Sequence, residues 1–407
     1  MRKALLIAGA ALLLAANGAW ARTLSVGPGA EFRTIQSAID AAQSGDVITV
    51  APGLYRESLV ITTSRLEIVG AGAGASVVQS GGIPVRFVRA AGGRFEGFTL
   101  RYTGAAQNPV LLAEAASPLL VGNEVTGGTL AGVEVRGGAT PALFSNHIHD
   151  NAGTGVLVHG AADATLTANR VERNGLGEVH HPGIEARDNG RVVAQFNQIL
   201  VNGGSGAFVH QGAVAELLGN TIVGNGLHGV AVEDRARAEL RSNTLWWNAE
   251  VGVLLRDNGA ATVTGNVVAR NLLGIVLVKD AQGRATEPVQ RDNLLIANTR
   301  DTLGLGLAAR DVRLATAAVD HPDFQALLQA VNLAGELLVQ LRGDAPLPDA
   351  RERFIEQTQA AELILADLYK QEGLRDEAQT RYNMVIRLNL NSQAADRARA
   401  ELATMGV

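Results

Sequence analysis

Arginine, histidine and glutamate side chains recur at one fixed place in a series of short apolar segments in the middle of the sequence. The residues in this place are 23 or 28 residues apart, and they are Arg136, His159, Arg187, His210, Glu233 and Arg256. The residues two places earlier are Glu134, Leu157, Glu185, Phe208, Ala231 and Leu254. Arginine neutralises carboxylates, and histidine, whose pKa lies near neutrality, can remove a proton from the carbon beside a carboxylate. These residue types suit the binding of an acidic polysaccharide and chemistry of the lyase or C5-epimerase kind.

One interval in the series is five residues longer than its neighbours. Four steps separate Asn151 from Gly155, whereas nine separate Asn174 from Gly183, and the additional residues fall within 176–182. Because an inserted loop can form the wall of a groove, we predict a site beside it. The predicted catalytic residues are His180, His181, Arg187 and His159, with His180 or His181 as the base. The predicted substrate-binding residues are Arg136, Glu178, Glu185, Phe208, His210, Glu233 and Arg256.

Two other interpretations of this loop stay open. Its histidines are equally compatible with a solvated polar loop that has no role in binding. Together with His159, the loop residues Glu178, His180 and His181 also offer nitrogen and oxygen ligands for a metal ion. Adjacent histidines have no diagnostic ligand spacing, however, and we expect neither a metal nor another cofactor.

The secondary structure that must position these residues can be predicted from asparagines that recur at a fixed spacing. One series has spacings of 23, 23, 28, 23, 23 and 23 residues, and it consists of Asn123, Asn146, Asn169, Asn197, Asn220, Asn243 and Asn266. A second asparagine follows five places later in most copies, at Asn151, Asn174, Asn202, Asn225, Asn248 and Asn271. Such a fixed period indicates a solenoid. Leucine-rich repeats are excluded because the residues five places before the asparagine are proline or alanine, as at Pro141 and Ala164.

Each repeat contains three short segments with period-two alternation, which is typical of a parallel β-coil with three faces. Stacked turns bury the hydrophobic face that a single turn cannot close. The predicted inward residues include Val133, Val135, Val156, Val158, Ile184, Ala186, Val230 and Val232. We expect glycine and asparagine to supply positive φ angles at the corners, and we interpret the asparagine series as structural, with amides bonded along the axis.

This pattern resembles the right-handed parallel β-helix repeats of the pectin-lyase-like superfamily, which includes carbohydrate-binding and sugar-hydrolase-type domains and periplasmic copper-maturation proteins. The entrance of the chain agrees with the resemblance, since segments 32–42, 45–50 and 52–57 look like the superfamily's opening helix and first strands. We expect that helix to shield the end of the coil by burying Ile35, Ala38, Ile39 and Ala42. The resemblance covers about residues 24–302 and implies that a site would lie on the outer face of the glycine-led strands. The motifs of pectin methylesterases, polygalacturonases and alginate epimerases are not found.

The ends of the chain differ from the middle. Arg2 and Lys3, an apolar run over residues 4–16, and Ala19-Trp20-Ala21 indicate a signal peptide cut after Ala21, and hence a periplasmic or secreted protein. The mildly acidic composition, with a net charge of −5, argues against a nucleic-acid surface, and the absence of cysteine excludes a disulfide scaffold. We divide the chain into a signal peptide (1–21), a β-helix with its capping helix (22–314) and a helical region (315–407).

The helical region resembles a single tetratricopeptide repeat. The spacing of Ala366, Tyr369, Gly373, Ala378 and Tyr382 carries this resemblance. A lone repeat rarely buries enough surface, so we expect it to dock on its own chain or on a protein partner. We expect Trp246 to face outward and Trp247 to lie near a corner, with the pair either covered by these helices or stacked on sugar. The alternative function is a non-catalytic periplasmic scaffold for protein partners or metalloenzyme maturation.

Overall fold

The computed structural model describes residues 21–280, 283, 285, 286, 288–305, 322–341 and 348–406. The predicted signal peptide, apart from Ala21, lies outside these residues. So does the predicted boundary between residues 314 and 315. No helix in the described ranges is long and apolar enough to cross a membrane.

Residues 23–303 form a parallel solenoid of short strands. In chain order the strands are β1 (Thr23–Val26), β2 (Val47–Val50), β3 (Gly53–Tyr55), β4 (Leu59–Ile61), β5 (Glu67–Gly70), β6 (Ser76–Ser80), β7 (Val85–Val88), β8 (Arg94–Glu96), β9 (Phe98–Tyr102), β10 (Pro109–Glu114), β11 (Leu119–Val121), β12 (Glu124–Thr126), β13 (Ala131–Arg136), β14 (Ala142–Phe144), β15 (His147–His149), β16 (Thr154–Val158), β17 (Asp163–Thr167), β18 (Arg170–Glu172), β19 (Ile184–Ala186), β20 (Arg191–Gln195), β21 (Gln198–Leu200), β22 (Ala207–Val209), β23 (Val214–Leu218), β24 (Thr221–Val223), β25 (Val230–Val232), β26 (Arg237–Arg241), β27 (Thr244–Trp246), β28 (Val251–Leu255), β29 (Ala260–Thr264), β30 (Val267–Ala269), β31 (Leu273–Leu277), β32 (Val289–Arg291), β33 (Leu294–Ile296) and β34 (Arg300–Leu303).

The strands stack into three parallel sheets that run along the solenoid axis. Sheet A runs from β1 and β2 through every third strand to β32, sheet B from β3 to β33, and sheet C from β4 to β34. Each regular turn therefore contributes one strand to A, one to B and one to C. This arrangement confirms the predicted coil with three faces.

The interior is a continuous apolar column built from the inward residue of each pleat. All eight predicted inward residues lie in it, and each is at most 2% exposed. Aliphatic side chains fill most of the column, with Phe87, Phe95 and Phe98 near its N-terminal end. Stacked, β-branched rungs of this kind need few aromatic rings, which explains an aromatic content of 4%.

Two buried asparagine ladders follow the corners on either side of sheet B. In the first, the Nδ2 of Asn197 donates to Leu166 O at 2.9 Å and to Asn220 Oδ1 at 3.0 Å, and the backbone N–H of Asn197 donates to the same Oδ1 at 2.9 Å. The second ladder, through Asn202 and Asn225, repeats this geometry. Because these amides satisfy buried backbone groups, the predicted structural role of both series is confirmed.

Glycine supplies the positive φ angles at some of these corners, as expected, for example at Gly219 and Gly265. The residue before each ladder asparagine adopts them, and it is often not glycine, as at Ser145, Ala168, Phe196 and Ser242. The ladder asparagines themselves do not adopt them, so that part of the prediction was wrong. The preceding residue turns the chain, which leaves the asparagine amide free to point into the corner and accept the neighbouring N–H.

The glycines that lead the strands of sheet C are required by close packing. A Cβ on Gly206 would lie 2.4 Å from Ile222 Cγ2 and 2.8 Å from Gly229 O. Neither neighbour can move without disturbing a stacked turn, so no larger residue fits at this position.

A short helix, α1 (Ile35–Ala41), covers the N-terminal end of the column. Its Ile35, Ala38 and Ile39 are buried, as predicted, while Ala42 is half-buried. Thr34 caps the helix through the N–H of Ser37, and the Glu57 carboxylate accepts the N–H groups of Ile35 and Gln36 at 2.9 Å each. An anion at a helix N-terminus is stabilising. Because Glu57 lies between β3 and β4, its carboxylate also holds α1 against this part of the solenoid.

Four helices are described beyond the solenoid, and they form the helical tail: α2 (Pro322–Leu341), α3 (Pro348–Gln371), α4 (Arg375–Leu388) and α5 (Gln393–Thr404). The helical tail packs on sheet B over a joint apolar cluster that includes Leu200, Val223, Trp246, Val267 and Ile296. Docking on the chain itself is therefore confirmed, and so is cover of the tryptophans: Trp246 is fully buried, and Trp247 Nε1 donates to Val331 O at 2.9 Å. The tetratricopeptide-like assignment stays a prediction.

A buried ion pair fixes this contact. Arg381 of α4 and Glu362 of α3 are both fully buried and 3.0 Å apart. Arg381 also donates to the solenoid through Thr244 Oγ1, Asn243 O and Gly265 O. The guanidinium thus bonds directly to the corner at which the first asparagine ladder runs.

Candidate functional site

The candidate site is the outer face of sheet C, where the predicted residues line up in register. Glu134 pairs with Leu157, Leu157 with Glu185, and Glu185 with Phe208. The backbone N–H groups of His159, Arg187 and His210 each bond to the turn before. The structure therefore brings the two predicted series together as two adjacent columns along the solenoid axis.

Glu134 anchors the first group of charges on this face. It is 4% exposed, and its Oε1 accepts His159 Nε2 at 3.0 Å and Arg136 Nη1 at 3.2 Å. Arg136 Nη2 reaches Glu114 at 3.2 Å on the preceding turn. Burial alone would raise the pKa of Glu134, but the hydrogen bond from His159 and the charge of Arg136 bring it below the usual glutamate value. A carboxylate only accepts hydrogen bonds, so the proton of a neutral His159 lies on Nε2.

Glu185 anchors a second group two turns further along. Its Oε1 accepts His210 Nε2 at 3.2 Å and lies 3.6 Å from Arg187 Nε, while Thr154 donates to its Oε2 at 3.0 Å. Burial would raise the pKa of Glu185, but the hydrogen bonds from His210 and Thr154 lower it. Arg187 Nε lies too far from this carboxylate for a hydrogen bond, and the Arg187 side chain is 35% exposed.

Towards the C-terminal turns the same face becomes apolar. The rings of Phe208 and His210 stack at 4.1 Å with an angle of 8° between them. Beyond them, Ala231, Val251, Leu254 and Val276 form a small buried cluster against which Phe208 packs. Glu233 and Arg256 pair at 2.7 Å beside this cluster. Phe208 therefore lies where the charged part of the face meets the apolar part.

The positive charges on this face are paired with carboxylates. Arg136, Arg187 and Arg256 each lie against a glutamate, and both histidines of the column hydrogen-bond to one. The carboxylates come from the neighbouring column of the same sheet or from the adjacent turn. The face is consequently a set of oriented groups whose charges compensate one another.

The inserted loop lies at the other edge of sheet C. Residues 176–182 precede β19, whereas Arg187 follows it and His159 follows β16. Glu178 and His180 are exposed, His181 is half-buried, and the backbone of His181 bonds to Gly175 and Gly204. The length of a strand therefore separates His180 and His181 from His159 and Arg187. Among the described residues no group of histidine and carboxylate side chains is arranged to hold a metal.

A second cluster, on sheet B, was not found from the sequence. His147 and His149 stack at 4.0 Å, and His149 lies between Glu124, 3.0 Å from Nε2, and Asp150, 2.8 Å from Nδ1. His147 Nε2 lies 2.8 Å from Glu172. The buried Glu172 carboxylate also contacts Arg170, and it contacts Arg351 of the helical tail.

Replacing His147 with glutamine should reduce the loss of stability in mild acid. Burial, together with the charges of His149, Arg170 and Arg351, lowers the pKa of His147 to about 2 from its usual 6.5. The unfolded chain then binds a proton below pH 6.5 that the folded chain does not, so stability falls as the pH drops, by at most about 1.4 kcal/mol per pH unit. Urea unfolding at pH 7 and pH 5 measures the difference.

The matched control is His180→Gln in the exposed loop, which should keep the pH dependence of the unsubstituted protein. Equal losses between pH 7 and pH 5 in His147→Gln and in the unsubstituted protein would show that His147 is not held neutral by its surroundings.

Comparison with known families addresses the fold of the solenoid. The family model described as "Right handed beta helix region" matches residues 81–245 and residues 176–308, which together are more than half of the chain. The chain belongs to the right-handed β-helix family. This confirms the resemblance read from the asparagine and glycine spacing, and no protein of known, curated function matches the chain.

Several solved β-helix structures are similar to this one. The mannuronan C-5 epimerase AlgE4 A-module of Azotobacter vinelandii is 16% identical, with 67% of this chain and 94% of that chain covered and a TM-score of 0.46. The pectate lyase Pel9A is 13% identical, covering 73% and 85%, with a TM-score of 0.47. An alginate lyase from Paenibacillus sp. str. FPU-7 is 17% identical, covering 70% and 98%, with a TM-score of 0.44.

Proposed function

We propose that this right-handed β-helix protein binds an acidic polysaccharide on the outer face of sheet C and modifies it by lyase or C5-epimerase chemistry. The observation that carries the proposal is the pair of glutamate-anchored groups, in which a carboxylate, buried in Glu134 and half-buried in Glu185, contacts one arginine and one histidine. Arginine side chains fixed in this way recognise carboxylates with directed hydrogen bonds. The predicted signal peptide supports action in the periplasm or outside the cell.

In this proposal Arg187 binds the uronate carboxylate and His159 is the base. The Arg187 side chain is 35% exposed. In a neutral His159, the contact with Glu134 places the proton on Nε2 and leaves Nδ1 as the basic nitrogen. His159 Nδ1 takes the proton from C5. In a lyase the C4–O bond then breaks, C4=C5 forms and the leaving oxygen gains a proton; in an epimerase a proton returns to C5 from the opposite face. A base held by a carboxylate is oriented before the substrate arrives.

Phe208 would contact a sugar ring. Phe208 presents a ring already stacked on His210, and aromatic rings pack against the C–H faces of sugars as they do against other apolar surfaces. Arg136, Glu233 and Arg256 flank this region along the axis and would contact neighbouring residues of the chain. Glu178 and His180, at the far edge of sheet C, would form a wall.

Replacing Arg187 with alanine should weaken the binding of a polyuronate about tenfold or more, because a hydrogen bond to a charged group contributes about 1.5–3 kcal/mol. The variant should also show a weaker dependence on salt, since one ionic contact is lost. Isothermal titration of the purified protein with polymannuronate and polygalacturonate, at low and high salt, measures both effects.

Arg191→Ala is the matched control, because Arg191 is similarly exposed and is also paired with carboxylates, but lies on sheet A. Unchanged affinity in Arg187→Ala, or an equal loss in Arg191→Ala, would contradict the proposal. Ultraviolet absorbance of unsaturated products and deuterium uptake at C5 from heavy water report turnover. Loss of either signal in His180→Ala, but not in His159→Gln, would assign the base to the loop.

A further inference from the structure

Arg22 is held at the entrance of the solenoid by one buried carboxylate. Asp46 is 3% exposed, and its Oδ2 accepts Arg22 Nη2 at 2.6 Å and Arg22 Nε at 3.1 Å. Its other oxygen, Oδ1, accepts the main-chain nitrogen of Arg22 at 2.9 Å. Asp46 therefore binds both the side chain and the main chain of a residue 24 positions earlier.

Further contacts of Arg22 keep its main-chain nitrogen in this place. Arg22 O accepts the N–H of Val47 at 2.9 Å, next to the pairing of β1 with β2. Arg22 Nη2 also donates to Ala41 O at 3.0 Å, at the C-terminal end of α1, where a positive charge is favourable. The residue thus joins the first strand, the capping helix and the start of β2.

The predicted cleavage by a signal peptidase falls on the peptide bond that ends at this nitrogen. Hydrolysis of the bond between Ala21 and Arg22 by one water molecule leaves a carboxylate on Ala21 and an amine on Arg22, which takes up a proton near neutral pH. The nitrogen then changes from an amide into a cation. Because Asp46 Oδ1 already lies within hydrogen-bond distance, the new ammonium group needs no movement to pair with it.

We propose that Asp46 is the acceptor of the α-ammonium group that signal-peptide removal after Ala21 creates, so that processing closes the N-terminal end of the solenoid with an ion pair. The guanidinium of Arg22 and the N–H of Gln43 both bond to Oδ2 of Asp46, which leaves Oδ1 to the main-chain nitrogen. A charged donor makes a hydrogen bond about twice as strong. The first turn is therefore more stable in the processed protein than in its precursor.

The ion pair makes the stability of the first turn depend on pH. The hydrogen bond from Arg22 lowers the pKa of Asp46 to about 2, so this carboxylate stays ionised at neutral pH. Asp46 and Glu31 attract a cation at Arg22, whereas the guanidinium of Arg22 repels a second one. Because Asp46 bonds to the nitrogen directly, we expect the pKa of the α-amino group to rise above its ordinary value of about 7.7–8.0. The stabilisation is then complete below about pH 7.7 and is lost as the pH rises through the raised pKa.

Mass spectrometry of the protein recovered from cells that express the full chain should place Arg22 at its N-terminus, and any other first residue would overturn the proposal. Hydrogen exchange then compares this protein with a chain that keeps Ala19-Trp20-Ala21 ahead of Arg22, in which the same nitrogen is an amide. At pH 7, amides of residues 23–50 should exchange about tenfold more slowly in the shorter chain. The two chains should converge by about pH 10, and amides of residues 119–303 should exchange equally in both, because each turn contacts only its neighbours.

Two substitutions assign the difference to one carboxylate. Asp46→Asn removes the negative charge and should abolish the difference between the two chains, even though it loosens the first turn in both. Asp40→Asn, at an exposed position of α1, removes an equal charge and should leave the tenfold difference intact. Equal exchange in the two unsubstituted chains at pH 7, or a difference that survives in Asp46→Asn, would overturn the pairing of Asp46 with the new N-terminus.

Discussion

Arg381→Met should lower the free energy of unfolding by about 3–5 kcal/mol, because it leaves the buried carboxylate of Glu362 without its partner. Arg381 and Glu362 are fully buried between the helical tail and sheet B. The substitution also removes the donors to Asn243 O and Gly265 O, at 3.3 and 3.1 Å. Methionine fills most of the volume of the arginine side chain, so the loss of stability would be due to the missing charge and its hydrogen bonds. Urea unfolding followed by circular dichroism measures it.

Two further variants separate this effect from a general weakness of the helical tail. Arg397→Ala breaks an ion pair with Asp367 in which the arginine is 56% exposed, and it should cost no more than about 1 kcal/mol. Combining Glu362→Leu with Arg381→Met removes both buried charges and should recover much of the lost stability. Equal losses in Arg381→Met and Arg397→Ala would contradict a special role for the buried pair.

Asn197→Ala should be comparably damaging, at about 3–5 kcal/mol. The side-chain oxygen of Asn197 accepts two hydrogen bonds from Asn169, at 2.8 and 3.0 Å, and its Nδ2 donates to Leu166 O and Asn220 Oδ1. Truncation therefore removes hydrogen-bond partners from buried groups on the two neighbouring turns, and each unsatisfied group costs about 1–3 kcal/mol. Because the surrounding structure can partly relax, the total loss of stability should be smaller than the sum of the costs of these groups. The midpoint and slope of urea unfolding provide the measurement.

Thr165→Ala, an exposed position on sheet A, is the control for Asn197→Ala and should change stability by less than about 0.5 kcal/mol. Asn197→Asp offers a second comparison, since it keeps the size of the side chain but removes the donor and adds a buried charge. If Asn197→Ala and Thr165→Ala were equally stable, the ladder amides would contribute no net stability.

The solenoid could be predicted from the sequence because its contacts repeat. A period of 23 residues places equivalent side chains one above another, so the register of Glu134, Leu157, Glu185 and Phe208 follows from counting. The pairing of the charges could have been found in the same way. Glu134 and Arg136 are outward neighbours on one strand, and His159 lies one turn and two residues further on.

The sheet B cluster could not be found by counting alone. His147 depends on Glu172 in the next turn, and the pKa of His147 depends on Arg351, which lies on a helix about half the chain away. The surface on which the helical tail docks can be recognised in the sequence, because the outward residues of sheet B change from Glu124, His147 and Arg170 to apolar ones at later turns. The positive φ angle of the residue before each ladder asparagine could not be predicted from the sequence, because residues as different as Phe196 and Ser242 adopt it.

The change to apolar residues along sheet B leaves a surface exposed while the protein is being synthesised. Its apolar outward residues, among them Leu200, Val223 and Trp246, lie well before the helices that cover them. Synthesis from the N-terminus therefore completes a solenoid with a bare apolar strip, and such strips promote aggregation while they are exposed. A nascent chain that still lacks the helical tail does not have the residues that cover this strip, whereas a chain that includes the helical tail covers it.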